Sequence, residues 1–388
     1  MQRKTRFSRL IRLSISPSFI LMIVVSIRLG FFLMFHAGLI PSFRLQNTDL
    51  PIVGVVHLIA FDFIAIGLMI ICEKIIFPIP DIFIRCGHFC RSFLAVFITS
   101  ILTVLGIHSL TMVLLKLSPR SLSYLLSTGI RGGFRPEIPW GRGYTVAHVA
   151  LQVALVVSLV VMQGQIRKAL IALITLVALA MYSIVYMSRI MFIAPLIALV
   201  VLFIRRKLWI TFDKRKSVFI LLALILIVAI VTLLQGLRDY ESIGVIYTKS
   251  FLIWGLLRFT DYFISTAIFS SHIAAALGNM KESELGSLLG APEYVNLGSL
   301  GQLLNTFGIG YLFVILCFWL VIGKYWRRFY KGYADGLIVY PYIVYSLIEF
   351  PRIFEFTTVT GLVRLALLIF CGWLFRDVTV KWARYSTE

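Results

Sequence analysis

Acidic side chains are scarce in this chain: 17 Asp and Glu stand against 37 Lys and Arg, for a formal net charge of +20. In a soluble protein that imbalance would point to nucleic acid. Charge of either sign is sparse too, at 14% of 388 residues against 60% hydrophobic, and the mean hydropathy is +0.95. No soluble domain is that apolar, so the composition excludes a water-soluble nucleic-acid binder and indicates a polytopic membrane protein. The excess of base then has a plainer source, the basic cytoplasmic loops of an inner-membrane protein.

Other absences narrow the field. Five cysteines imply no disulfide framework. Cys86-Gly-His88-Phe-Cys90 offers only three ligands, at a spacing that is not that of a zinc ribbon or finger, so no metal is expected. There is no Walker loop, nucleophile elbow, HExxH or DxD-like pair, which argues against an ATP-driven or nucleotide-sugar enzyme. Internal repeats and low-complexity segments are absent. No cleavable signal peptide is expected, because Arg3, Lys4, Arg6, Arg9 and Arg12 precede a full-length span without a small-residue cleavage site.

What the chain has in abundance is long apolar runs. They read as ten spans, at 17–39, 52–76, 92–116, 144–166, 169–187, 190–204, 217–235, 301–323, 337–350 and 357–375. Basic residues alternate with them. The arm 1–16, Lys74/Arg85/Arg91, Arg167/Lys168, the Arg205–Lys216 loop, Lys324/Arg327/Arg328/Lys331 and Arg376/Lys381/Arg384 all fall on one side. The positive-inside rule makes that side, and both termini, cytoplasmic. The expected fold is therefore all-α, a polytopic membrane helical bundle forming a single integral membrane domain over 1–388. It has two long periplasmic loops, 117–143 and 236–300, and the second is apolar enough to hold membrane-associated helices.

The exceptions to the charge rule carry the candidate chemistry. Arg189 lies at the tip of a tight hairpin within Ala169–Arg205, with basic residues at both of the hairpin's cytoplasmic ends. The first outward loop adds Arg131, Arg135 and Arg142 beside glycines, and the second adds Arg238 and Arg258. Glycine lets backbone approach a ligand closely, and a guanidinium pairs with phosphate as a bidentate fork. Together these arginines could hold a diphosphate at the membrane surface, or they could bind lipid headgroups and snorkel. Asp239, Glu241 and Asp261, with His272 nearby, are candidates for a general base, or for surface ion pairs with Arg238 and Arg258. Arg28, His57, Asp62, Glu349 and Arg364 lie in or near spans. Such residues are expensive there and read either as a relay or as a structural pair, such as Asp62 with Arg28 or with Arg364.

One stretch carries a resemblance. Ala291-Pro-Glu-Tyr294-Val-Asn296-Leu-Gly-Ser-Leu-Gly-Gln302 leads into Asn305-Thr-Phe307-Gly308-Ile-Gly310, an apolar span to Gly323, and Lys324-Tyr-Trp-Arg-Arg-Phe-Tyr330. It resembles the Wzy-type O-antigen (oligosaccharide repeat unit) polymerases, which are related to the O-antigen ligases. Their pattern is a small-residue-rich entry, a Phe-Gly-x-x-Gly-like step, then a helix ending in glycine before a basic, tyrosine-containing loop. Here one residue separates the glycines where the family pattern has two. The Ser188-Arg189 tip is similar to the family's Ser-Arg step, and the ten-span layout with a large outward loop also agrees.

The resemblance implies a GT-C-type membrane glycosyltransferase of lipopolysaccharide and polysaccharide biosynthesis. Its partners would be undecaprenyl-diphosphate-linked glycan donor and acceptor, membrane lipids and a chain-length regulator protein, with no nucleic acid, no metal and no other cofactor. Arg189 matches the family's hairpin arginine. By placement, Arg238, Arg258, Asp239, Asp261 and His272 join it as catalytic candidates. Arg131, Arg135, Arg142, Tyr294, Asn296 and Gln302 are candidates for binding diphosphate or sugar. An O-antigen ligase would carry its loop histidine in a fuller motif than Ser270-Ser271-His272-Ile273 offers. A lipid-linked oligosaccharide flippase or other transporter would show two repeated halves. A purely structural membrane subunit is the remaining alternative.

Overall fold

The computed structural model describes residues 15–40, 50–75, 88–116, 142–161, 166–185, 190–207, 251–278, 280, 282–289 and 297–376. Among them there is no strand. The helices are α1 (Pro17–His36), α2 (Ile52–Lys74), α3 (His88–Lys116), α4 (Arg142–Val161), α5 (Ile166–Val185), α6 (Ile190–Lys207), α7 (Phe251–Ala275), α8 (Glu282–Leu288), α9 (Gly298–Phe307), α10 (Tyr311–Tyr330), α11 (Ala334–Ile348) and α12 (Val359–Leu374). Helix lies over nine of the ten expected spans, and 217–235 falls outside the described residues. Four stretches are long and apolar enough to cross a membrane: α1, α2, Phe93–Met112 of α3, and Gly298–Tyr330, which joins α9 to α10. The chain is thus a helical membrane protein.

Local sequence explains several helix ends. Ser16 caps α1 by accepting from the Phe19 amide at 3.4 Å, with Pro17 at the first helical position. Between α9 and α10, Gly308–Gly310 forms a 3₁₀ turn, and Gly308 has φ of 53°, which a side chain would disfavour.

The chain divides into two compact units. The first comprises 1–78, 256–327 and 343–358. Within it α1 and α2 are antiparallel, since the Ser18 amide donates to Glu73 Oε1 at 2.6 Å near one end and Arg28 pairs with Asp62 farther along. α10 runs alongside α2 in the same direction. Phe61 meets Tyr311, Trp319 Nε1 donates to the Ala65 carbonyl at 2.7 Å, and Arg327 donates to the Cys72 and Glu73 carbonyls at 3.0 and 2.8 Å.

That packing corrects one expectation. The helix does not stop at Gly323; it continues to Tyr330. A Cβ on Gly323 would lie 2.3 Å from the Cys72 carbonyl oxygen. The glycine is there for a close helix–helix approach, as small residues often are in membranes, and not for a helix end. One turn on, Arg327 takes the carbonyls left open at the C-terminal end of α2.

In the same unit, part of the expected large loop forms α7, and Ile264, Ser265, Thr266, Ala267, Ile268 and Phe269 are all buried. Two of its hydroxyls donate to carbonyls of the same helix, Thr266 to Phe263 and Ser271 to Ala267, while Ser270 donates to the Leu297 carbonyl at 2.7 Å.

The second unit comprises 79–255, 328–342 and 359–388. Its centre is α4, where Leu151 and Val153 through Val157 are fully buried beneath α3, α5, α6 and α12. A helix buried on every side is one wrapped by protein.

Candidate functional site

The polar groups of the first unit converge on the segment between α11 and α12. The chain leaves α11 at Ile348 and passes through Glu349-Phe-Pro-Arg-Ile-Phe before a short 3₁₀ turn, Glu355–Thr357. Pro351 cannot continue a helix, so the backbone groups freed here must find other partners. The Phe350 carbonyl accepts from the Ser299 hydroxyl of α9, and the Pro351 carbonyl from Arg28 of α1 at 3.3 Å. The Phe354 amide donates to Gln302 Oε1 at 2.9 Å, while Gln302 Nε2 donates to the Thr357 hydroxyl at 2.9 Å. The segment is pinned by three side chains from two helices.

Charge gathers around it. Arg28 and Asp62 form an ion pair at 0% and 1% side-chain exposure. Arg28 Nε and Asp62 Oδ1 are buried and have no hydrogen-bond partner. Arg352 pairs with Glu349, at 18% and 21% exposure, and Glu355 is buried within the segment. An aromatic bed lies beneath: Phe350 stacks on Phe61 at 5.7 Å, and Trp319 and Phe318 lie against Phe354. The arrangement gathers hydrogen-bonding and charged groups inside an otherwise apolar helix bundle.

A second polar cluster sits in the other unit. Arg364 Nε donates to Gln152 Oε1 at 2.8 Å, the Tyr342 hydroxyl donates to the Gln152 carbonyl at 3.1 Å, and the guanidinium lies over the Tyr342 ring. Of the two partners considered for Asp62, the structure pairs it with Arg28 and gives Arg364 an amide. His57, another polar group in a span, places Nδ1 3.3 Å from the Ala274 carbonyl.

The expected site residues divide sharply. Gln302 has its side chain in the polar segment, and His272 is half-buried near the end of α7. Arg258 and Asp261 lie on α7, and Arg142 begins α4, with their side chains outside the described set. Arg189, Arg238, Asp239, Glu241, Arg131, Arg135, Tyr294 and Asn296 lie outside the described residues, as does Cys86, while His88 and Cys90 of that cluster lie at the start of α3 with their side chains outside the described set. Among the described residues, no group of three or more His, Cys, Asp or Glu side chains could hold a metal ion. Sequence reading passed over Ser299, Arg352, Glu355 and Thr357. The available signal was a proline and three charges interrupting two apolar runs at Glu349–Glu355.

No family model matches the chain, and neither does any curated protein or solved structure.

Proposed function

We propose that the chain is a membrane glycosyltransferase, a polysaccharide polymerase that joins undecaprenyl-diphosphate-linked oligosaccharide repeat units at the periplasmic face of the bacterial inner membrane. In this reading it is a GT-C-type bundle of about ten crossings with both termini cytoplasmic. A growing glycan leaves its lipid diphosphate and joins a hydroxyl of the incoming unit's terminal sugar. Arg189, aided by the loop arginines, stabilises the charge that develops on the leaving diphosphate. One observation carries most of the weight. The stretch that resembles the polymerases runs from Ala291 to Tyr330; its described part, from Leu297 on, folds as helix, 3₁₀ turn and helix, and its Ser299 and Gln302 anchor the polar segment 350–357.

A second reading, a lipid-linked glycan flippase, is favoured by the buried Arg28–Asp62 pair, since intramembrane charges also mark transport pathways. Deleting the gene separates the two. A polymerase mutant displays glycans of a single repeat, whereas a flippase mutant displays none. A ligase mutant instead leaves full-length chains on the lipid carrier. In the polymerase reading, Arg189→Ala collapses long chains to one repeat, and Arg189→Lys fails to restore them because the fork geometry is lost. Normal chain lengths in Arg189→Ala cells, with the protein present at normal levels, would sink the assignment.

A further inference from the structure

The segment Glu349–Thr358 is set deep. Arg28 lies about 12 Å along the α1 axis from His36, and Asp62 about 15 Å along α2 from Ile52, at the 1.5 Å rise per residue of an α-helix. Both are therefore near the middle of helices that match the roughly 30 Å hydrocarbon core. The Pro351 carbonyl nevertheless meets Arg28, and the Phe350 ring stacks on Phe61 beside Asp62. The flanking helices agree. α11 has 15 residues and α12 has 16, about 22 and 24 Å long, each several ångströms short of a full crossing. The connection between them is thus within the membrane's depth and not on its surface.

Non-helical backbone at that depth survives only where protein buries it or where it lines water. The segment is incompletely buried. Glu349 and Arg352 keep 21% and 18% of their side-chain surface, and Ile353, Thr357 and Thr358 are also partly open. A partly open ion pair facing acyl chains would be costly. From these observations we infer that Glu349–Thr358 is a re-entrant floor of a water-filled vestibule. The vestibule receives a neutral, hydroxyl-bearing group and not an anion. The charge balance gives the second half of the inference. Among the described residues in and under the floor, Arg28 and Arg352 stand against Asp62, Glu349 and Glu355, so these groups leave no excess positive charge for a phosphate. Taken with the glycosyl-transfer reading, on which this last step rests, the floor seats sugar while the diphosphate is held elsewhere.

Thiol accessibility tests this without using polymerisation as the readout. Single cysteines are placed at Ile353 and Thr358 in a chain that keeps the buried Cys72 and Cys371 and has Cys86, Cys90 and Cys317 replaced by alanine. Membranes are treated with membrane-impermeant methanethiosulfonates, one cationic and one anionic. Phe63→Cys, next to Asp62 on an exposed apolar face, is the control for lipid-facing depth. The expected result is modification at 353 and 358 and none at 63, with the cationic reagent faster by several-fold. Unreactive thiols at both 353 and 358 that react after denaturation overturn the vestibule. An anionic reagent that is as fast or faster overturns the exclusion of an anion. Each variant must show the parent's thermal unfolding midpoint; if one does not, the other carries the test. Failure here leaves the Arg189 experiment unaffected, and failure of that experiment leaves the labelling pattern unchanged.

Discussion

Removing one member of the Arg28–Asp62 pair should be among the most damaging single changes in the first unit. Both side chains are essentially fully buried, at 0% and 1% exposure, and Arg28 also ties down the Pro351 carbonyl. Asp62→Ala leaves a guanidinium in an apolar interior with only a carbonyl for company. Breaking a buried pair from one side costs about 3–5 kcal/mol, because the surviving charge is uncompensated. The expected drop in the thermal unfolding midpoint of detergent-purified protein is on the order of 6–20 °C, since each kcal/mol moves a large domain by about 2–4 °C. Arg28→Met should cost less than Asp62→Ala, since it leaves a carboxylate that can take up a proton instead of a guanidinium that cannot give one up. The double variant Arg28→Met/Asp62→Leu removes both charges and should lie closer to the parent than Asp62→Ala. That non-additivity is the signature of a direct interaction. A loss of less than about 1 kcal/mol for Asp62→Ala, or strictly additive losses in the cycle, would refute a dry, mutually dependent pair.

Other substitutions probe the remaining contacts. Gln302→Leu strands the Phe354 amide and should cost about 1–3 kcal/mol, while Gln302→Glu, which keeps an acceptor oxygen, should cost less in the same unfolding assay. Gly323→Val drives a side chain into the Cys72 carbonyl, 2.3 Å from the new Cβ, and should separate α2 from α10, read as loss of a monodisperse peak on size exclusion. Gln152→Leu removes the Arg364 acceptor and should destabilise by about 1.5–3 kcal/mol, the range for hydrogen bonds to charged groups. A smaller effect in thermal unfolding would show that Arg364 is held by other contacts.

Much of the helical layout was legible in the chain. Hydropathy and basic punctuation are local signals, and helix lies over every expected run within the described residues; the 3₁₀ break at Gly308–Gly310, inside the run 301–323, was not among the expectations. The helix end expected at Gly323 was not legible. A glycine that permits close packing looks the same in sequence as one that ends a helix, and only the Cys72 carbonyl distinguishes them. Of the expected site residues, Gln302 was chosen for its place in a motif. The reason it matters structurally, a bridge to Phe354 and Thr357, spans more than fifty positions and has no local trace.

Composition alone indicated a membrane protein, because so apolar a sequence is unlike a soluble domain, and the long apolar runs indicated that it is helical. Sequence also flagged Arg28 and Asp62, since charge within an apolar run is conspicuous. Tertiary structure decided which charges meet: Arg28 took Asp62 and the Pro351 carbonyl, 34 and 323 residues away, and Arg364 took Gln152. It also decided that the polar link between α11 and α12 packs against Arg28 and Phe61, residues far from it in sequence. The physical reason is the same in each case. Burying a charge or a free backbone group demands a partner, and the chain alone does not say which distant segment supplies it.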